Sequence, residues 1–142
     1  MPARFVDTNV LLRYFTRDDE QQAPQALALL QRVERGEERI ATSPIVLFEA
    51  VFILDRTYGM PRARIHALVQ PVLELVGLSV PYKPLLLEAL DRFAVSSRKL
   101  SFADLYIALD ARSRGITEIY SWDKGFDRIE GITRVEPSGD VS

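Results

Sequence analysis

Four acidic residues stand where a fold could gather them: Asp7, Glu49, Asp104 and Asp123. Asp7 follows Ala3 to Val6, long enough for one buried strand, and leads through Thr8-Asn9 into Val10-Leu11-Leu12, the first turn of a helix. Asp123 leaves Thr117-Glu118-Ile119-Tyr120 in the same way. Glu49 interrupts Ile45 to Leu54, ten residues of which the other nine are apolar. A helix apolar on nearly every side is mostly buried, and a buried carboxylate is costly unless paired or bound to a metal. Asp104 lies early in the helix that Ser101-Phe102-Ala103 opens, one turn before the small Ala108. There is no cysteine and a single histidine, His66, so thiolate and histidine-rich metal sites are excluded. The four acids together point to a hard cation held by oxygens. Mg²⁺ or Mn²⁺ on carboxylates suits phosphodiester hydrolysis: the metal activates water, and paired ions roughly 3.5–4 Å apart stabilise the attacking and leaving oxygens.

Each acid has a plainer reading beside this one. Asp7 or Thr8 is an ordinary helix cap. Glu49 could face an arginine from elsewhere in the fold, since no cation lies within one turn of it. Ser101 and Asp104 fit the cap and third positions of a capping box, and Asp123 suits the cap of a short turn or helix at Lys124 to Asp127. For Glu49 the functional reading is the stronger one by itself; for the three aspartates it is their joint placement that favours a site.

The elements that would position them follow from apolar spacing and breakers. Helices are predicted over 21–35, 44–58, from Pro61 to about 75 with Pro71 kinking or shortening it, over 82–97, and from Ser101 to Gly115. Short strands are predicted at 39–42, 77–80, 117–120 and 131–135 besides the first. Alternating strands and helices imply an α/β fold, a mainly parallel sheet of four to five short strands with helices on both faces. Asp7 and Asp123 would then exit strands at the carboxyl edge of that sheet, where Glu49 and Asp104 begin their helices, and that edge is where open α/β sheets bind ligands. One domain is expected over 1–136, with a frayed tail at 137–142.

Composition narrows the partners. The 142 residues, 47% hydrophobic and 27% charged, suit one soluble domain. No apolar run approaches the roughly 20 residues that span a bilayer. Met1-Pro2-Ala3-Arg4 has no apolar signal region behind it, which implies a cytoplasmic protein without membrane contact. The net charge of −2 gives no global basic field, so nucleic acid would need a local basic patch. Fifteen arginines against three lysines suit phosphate, although a biased genome gives the same skew.

At the four acids the sequence resembles the PIN domain and, in length, the VapC-type toxins of bacterial toxin–antitoxin pairs. Asp7-Thr8-Asn9-Val10-Leu11-Leu12 is similar to the family's opening motif. Glu49 in its apolar helix, Phe102-Ala103-Asp104 and Ser121-Trp122-Asp123-Lys124-Gly125-Phe126 resemble the later three, in the right order across nearly the whole chain. The resemblance implies a Mg²⁺- or Mn²⁺-dependent endoribonuclease, often a homodimer, silenced by a small antitoxin usually encoded beside it. It implies that Asp7, Glu49, Asp104 and Asp123 are the catalytic and metal-binding quartet, with Asn9 shaping the first motif. Ser121 stands where the family more often has Thr, which keeps the hydroxyl, and Trp122 is bulkier than the pattern. Asp127 is a candidate accessory acid. Arg13 and Arg17, one turn apart, and Lys124 beside Asp123 are candidates for holding RNA at the mouth of an acidic pocket.

Other small α/β proteins with clustered acids fit less well. A phosphorylated receiver domain would need an acidic pair after its first strand and an acceptor Asp after a central one, whereas Asp7-Thr8-Asn9 and Val80-Pro81 stand there. Asn9 also breaks an Asp-x-Asp phosphotransferase motif, and no Walker loop is present. Two alternatives remain open: a catalytically silent PIN fold that binds RNA or protein, and a housekeeping PIN nuclease.

Overall fold

Parallel strands need a long crossover between them, usually helical, and the chain supplies a connection of about a dozen residues or more each time. In the computed structural model, which describes residues 2–140, β1 (Arg4–Phe5), β2 (Ile40–Ala41) and β3 (Leu78–Ser79) form a parallel sheet in that order. Arg4 lies opposite Ile40, and Ile40 opposite Leu78. β4 (Glu118–Tyr120) and β5 (Thr133–Val135) pair parallel with Ile119 opposite Arg134. The α/β class and the parallel strands are as read from the sequence. The single sheet is not: the ladder divides three plus two, with no bridge between β1 and β4. Both are too short to offer more than a few ladder bonds, and their apolar side chains stay outside, Phe5 being 68% and Tyr120 75% exposed.

Among the described residues six α-helices pack with the strands: α1 (Thr8–Thr16), α2 (Gln22–Glu34), α3 (Pro44–Phe52), α4 (Arg62–Leu73), α5 (Lys83–Val95) and α6 (Phe102–Ser113). α3 starts on Pro44, whose fixed φ suits a first turn, and runs on into a π-helical turn over Ile53–Thr57. Gly59, at φ 60, then turns the chain toward α4. α4 carries Pro71 close to its end and still reaches Leu73. Leu11, Leu47, Val51, Ile65, Leu86 and Phe93 are fully buried in one continuous core. α1 packs on α2 and α3, α3 on α6, and α5 on α4 and α6. His66 on α4 reaches Asp91 on α5 at 2.7 Å, a surface contact between helices. Residues 136–140 have no regular structure, and the end of the expected tail, 141–142, lies outside the described residues. Among the described residues no helix is long and apolar enough to cross a membrane.

One surface link has a pH signature. Asp18 accepts hydrogen bonds from the Thr16 hydroxyl (2.8 Å) and the Tyr58 hydroxyl (3.0 Å), joining the end of α1 to the end of the π-helical turn. The Thr16 bond first, then the Tyr58 bond, holds the Asp18 carboxyl below its ordinary value. The unfolded chain therefore binds this proton more tightly than the folded one. The stabilisation is complete above the ordinary carboxylate range and is lost as pH falls through the lowered folded value. Asp18→Asn is expected to lower the melting temperature at neutral pH by about 2 °C or less, and the gap to the parent should close in acid. Paired melting curves across that range check it.

Candidate active site

The end of β1 is held before Asp7 begins. The Val6 amide donates to the Ala41 carbonyl at 2.9 Å, and the Val6 carbonyl accepts from the hydroxyl of Thr42, which is 2% exposed. Asp7 then caps α1 in extended conformation, its Oδ1 accepting from the Val10 amide at 3.2 Å. Thr8 reaches across 41 residues to donate its hydroxyl to Glu49 Oε2 at 2.7 Å. That bond brings the opening motif and the second acid together. Glu49 itself corrects an expectation: it is exposed, not buried. α3 buries Val46, Leu47, Ala50 and Val51 but leaves Ile45 and Phe52 62% and 57% exposed, and Glu49 lies between them at helical spacing. A helix of apolar composition is not thereby covered on every side, and α3 keeps one face open.

Asp104 and Asp123 are placed by two further local devices. Ser101 Oγ accepts from the Asp104 amide at 3.0 Å while Asp104 Oδ2 accepts from the Ser101 amide at 3.1 Å, a complete capping box. Ser121 Oγ accepts from the Asp123 amide at 2.9 Å, and Asp123 Oδ1 accepts from the Gly125 amide at 2.8 Å, capping a 3₁₀ turn over Lys124–Arg128. Gly125 is needed there because a Cβ would sit 2.8 Å from the Lys99 carbonyl and 3.3 Å from the Leu100 side chain. The Asp123 turn therefore docks on the stretch just before Ser101. On the other side, the Phe48 and Phe102 rings meet edge-on at 5.4 Å and hold α3 against the start of α6.

The four acids thus follow one another through neighbouring elements, Asp7 to Glu49 by Thr8, α3 to α6 by the aromatic contact, α6 to Asp123 by Gly125. They do not converge in one pocket. Asp7 lines a cavity of about 540 Å³ between α1 and α2 with Asn9, Arg13, Gln22, Gln25 and Arg32. Glu49 lines another, of about 370 Å³, with Ser101 and Ala103. Among the described residues no three acidic or histidine side chains lie close enough to hold one metal ion. The strands that Asp7 and Asp123 exit are likewise not hydrogen-bonded to each other. The donor chemistry still fits a hard cation. One oxygen of each acid is used in the bonds above, and none of the four is ion-paired with an arginine or lysine among the described residues. Mg²⁺ keeps much of its water and takes one or two carboxylates at a time, so a cage of four is not a requirement for it.

The accessory candidates separate. Asn9 and Arg13 line the cavity of Asp7, with Arg13 Nε held by Gln22 Oε1 at 2.7 Å. Arg17 is not among its lining residues. It caps α1 at φ 55, donates to the Tyr14 carbonyl and lies 5.3 Å from the Tyr14 ring. Ser121 orients Asp123, Lys124 is exposed beside it, and Trp122 is 72% exposed. Asp127 is engaged by Arg134 at 3.1 Å. Sequence reasoning missed Thr8 as the partner of Glu49, the buried Thr42, and Arg32 with Gln25 in the cavity wall. The first could be suspected, since a hydroxyl beside a candidate acid is a natural donor; pairing across the fold carries no sequence signal.

The family model of the PIN domain matches residues 4–132. The VapC ribonuclease of Aquifex aeolicus (strain VF5) is 25% identical over 134 residues, covering 94% of this chain and 96% of that protein. Among solved structures, the crystal structure of Mycobacterium tuberculosis VapC20, described as a sarcin–ricin loop cleaving toxin, matches at 24% identity and a TM-score of 0.39, covering 95% of this chain and 100% of that one. A family model spanning 4–132 takes in Asp7, Glu49, Asp104 and Asp123 alike, and on that match the chain belongs to the PIN domain family.

Proposed function

We propose that the chain is a divalent-metal-dependent endoribonuclease, the toxin of a toxin–antitoxin pair, working as one nuclease domain over 1–136. Membership of the PIN family and full-length similarity to a protein named VapC ribonuclease support the reaction class. The observation that carries it is chemical: Asp7, Glu49, Asp104 and Asp123 are each locally oriented by a hydrogen bond, yet none is ion-paired with a cation among the described residues. Acids serving only stability would be expected to spend their charge on nearby arginines, as Asp110 does on Arg114.

In this reading Asp7, Glu49, Asp104 and Asp123 supply, one or two at a time, the carboxylates for Mg²⁺ or Mn²⁺, which would polarise the phosphoryl oxygens and lower the pKa of a coordinated water. The residues supply the rest. Thr8 fixes the rotamer of Glu49, Ser101 that of Asp104 and Ser121 the backbone of Asp123. Arg13 takes a phosphate of the RNA with the guanidinium nitrogens that Gln22 leaves free, and Asn9 shapes the wall beside Asp7. The proposed partners are RNA, a small antitoxin and a second copy of the chain, in the cytoplasm. A silent PIN fold is the second reading, favoured by the one finding that no three described carboxylates cluster.

Incubation with a mixed RNA pool separates the two. Cleavage is expected with Mg²⁺ or Mn²⁺ and none with chelator; intact RNA in every metal would leave the binding module. Arg13→Ala is expected to weaken RNA binding severalfold and to make its salt dependence shallower, by about 0.7 in the log–log slope for a single strand. An unchanged slope in a salt titration would remove Arg13 from the RNA path.

A further inference from the structure

The turn that carries Asp123 is pinned by an arginine that the reaction described above leaves idle. Arg134 stands in the middle of β5, opposite Ile119 of β4, with its side chain 12% exposed. Its Nη1 donates to the Ser121 carbonyl at 3.1 Å, two residues before Asp123. Its Nε donates to Asp127 Oδ1 at 3.1 Å, on the far side of Asp123, and its Nη2 to Asp127 Oδ2 at 3.4 Å. One side chain thus ties both ends of the segment 121–127 to β5. The Ser121 amide adds a bond to the Val135 carbonyl at 3.0 Å. From Ser121 the bonds run on to the acid: Ser121 Oγ accepts from the Asp123 amide, and Asp123 Oδ1 accepts from the Gly125 amide.

We propose that Arg134, with Asp127 as its counter-ion, is the positioning residue for the Asp123 carboxylate, and that Asp127 serves Arg134 rather than a metal ion; the proposal rests on the metal-dependent ribonuclease reading above. β4 and β5 form a sheet of their own, so no ladder bond carries the position of Asp123 to the strand that Asp7 exits. What holds Asp123 near the start of α6 is the docking of its turn on Lys99 and Leu100, and that docking depends on the turn keeping its shape. A 3₁₀ turn has bonds of poor geometry. Here the Phe126 amide donates to the Asp123 carbonyl at 3.3 Å, and the Ile129 amide to the Phe126 carbonyl at 3.2 Å. Arg134 reinforces the turn with charge-assisted bonds, which are roughly twice as strong as neutral ones. Its planar fork serves Ser121 and Asp127 together, which the compact ammonium of a lysine cannot do. Asp127 gives both oxygens to that fork, whereas Asp123 Oδ2 takes no hydrogen bond among the described residues. Glu136 accepts from Arg134 Nη1 at 2.9 Å on the exposed side. The two carboxylates offset the guanidinium charge, so the clamp does not repel a cation drawn to Asp123. A plainer role for Arg134, bracing β4 against β5, would show in stability alone.

Arg134→Gln, Arg134→Lys, Asp127→Asn and the double variant Arg134→Gln with Asp127→Asn are compared with the parent in three measurements. These are the melting temperature without metal, Mn²⁺ binding followed by the electron paramagnetic resonance signal of the free ion, and the Mn²⁺ dependence of cleavage of one short single-stranded RNA. In Arg134→Gln the Mn²⁺ concentration for half-saturation should rise about tenfold in both the binding and the cleavage measurement, while KM for RNA at saturating Mn²⁺ stays within about twofold. Arg134→Lys should recover less than half of the loss; full recovery would show that charge alone suffices and would overturn the clamp. Asp127→Asn alters a side chain that is 51% exposed and keeps one acceptor, so it should fold and raise the half-saturation concentration about threefold. The double variant should be no worse than Arg134→Gln, because both changes break one clamp. Losses that multiply in the double variant would make Asp127 a ligand in its own right and overturn the assignment. A lowered melting temperature with unchanged half-saturation in Arg134→Gln would make Arg134 a brace between strands, which overturns the proposal and leaves the ribonuclease standing. If Arg134→Gln fails to fold, Asp127→Asn decides, and an unchanged half-saturation there is likewise an overturning result. A parent that neither binds Mn²⁺ nor cuts RNA overturns both the clamp and the reaction it serves.

Discussion

Asp7→Asn is expected to reduce RNA cleavage by on the order of a hundredfold or more, because metal-assisted hydrolysis draws several kcal/mol from charge placed at the reacting phosphate. Asparagine caps a helix about as well as aspartate, so the Val10 amide keeps its acceptor and α1 keeps its start. What is lost is the negative charge. The melting temperature without metal should therefore change by only a few degrees, from the lost interaction of the charge with the helix dipole. The rise in melting temperature that a bound divalent ion gives the parent should shrink in the variant. Asp7→Ala, by contrast, removes both charge and cap and should cost about 1 kcal/mol more in stability. Cleavage assays and melting curves on the two variants thus separate the cap that Asp7 forms from the metal role proposed for it. If Asp7→Asn cut RNA like the parent, Asp7 would be a helix cap and nothing more.

The same duality explains how far the site was legible in the sequence. Asp7, Asp104 and Asp123 were readable because a short apolar run followed by a carboxylate marks a strand exit or a helix start, and all three do cap helices or turns. The plainer reading leaves room for the proposed one: Asp104 closes its capping box with one oxygen and keeps the other. Glu49 was located but its surroundings were misread. Composition reports how apolar a helix is and not which faces are covered, and the exposed face of α3 follows from where α1 and α6 pack. The order of strands and helices was legible because breakers such as Gly36, Gly59-Met60-Pro61 and Gly115 stand between periodic runs. The division of the sheet was not, since pairing between β1 and β4 depends on contacts more than a hundred residues apart. Long-range pairs leave no periodic trace. The Thr8–Glu49 bond and the ion pair of Asp55 are invisible for the same reason.

That ion pair is the second large effect. Asp55 and Arg62 meet at 3.2 Å with side chains 4% and 7% exposed, and the Arg62 guanidinium lies over the Phe93 ring, 4.2 Å from its centroid. Arg62 also donates to the Ser97 carbonyl at 3.0 Å, so it ties the π-helical turn, α4 and the segment after α5 to one point. Arg62→Ala leaves a buried carboxylate whose remaining cation, Arg56, lies 3.4 Å away on the surface. Removing one partner of a buried pair costs about 3–5 kcal/mol, and the exposed Arg56 offsets part of that. A fall in melting temperature on the order of 10 °C is expected. The pair itself is another matter. Both charges were desolvated to form it, and Asp55 Oδ1 and Arg62 Nε are left without hydrogen-bond partners, so its net contribution is small. The double variant Asp55→Val with Arg62→Met should therefore recover at least half of the loss. A double-mutant cycle on melting curves measures the coupling directly. If the double variant melted no higher than Arg62→Ala, the geometry of this pair would be stabilising in its own right, and the two unpartnered atoms would not be the weak point they are taken to be.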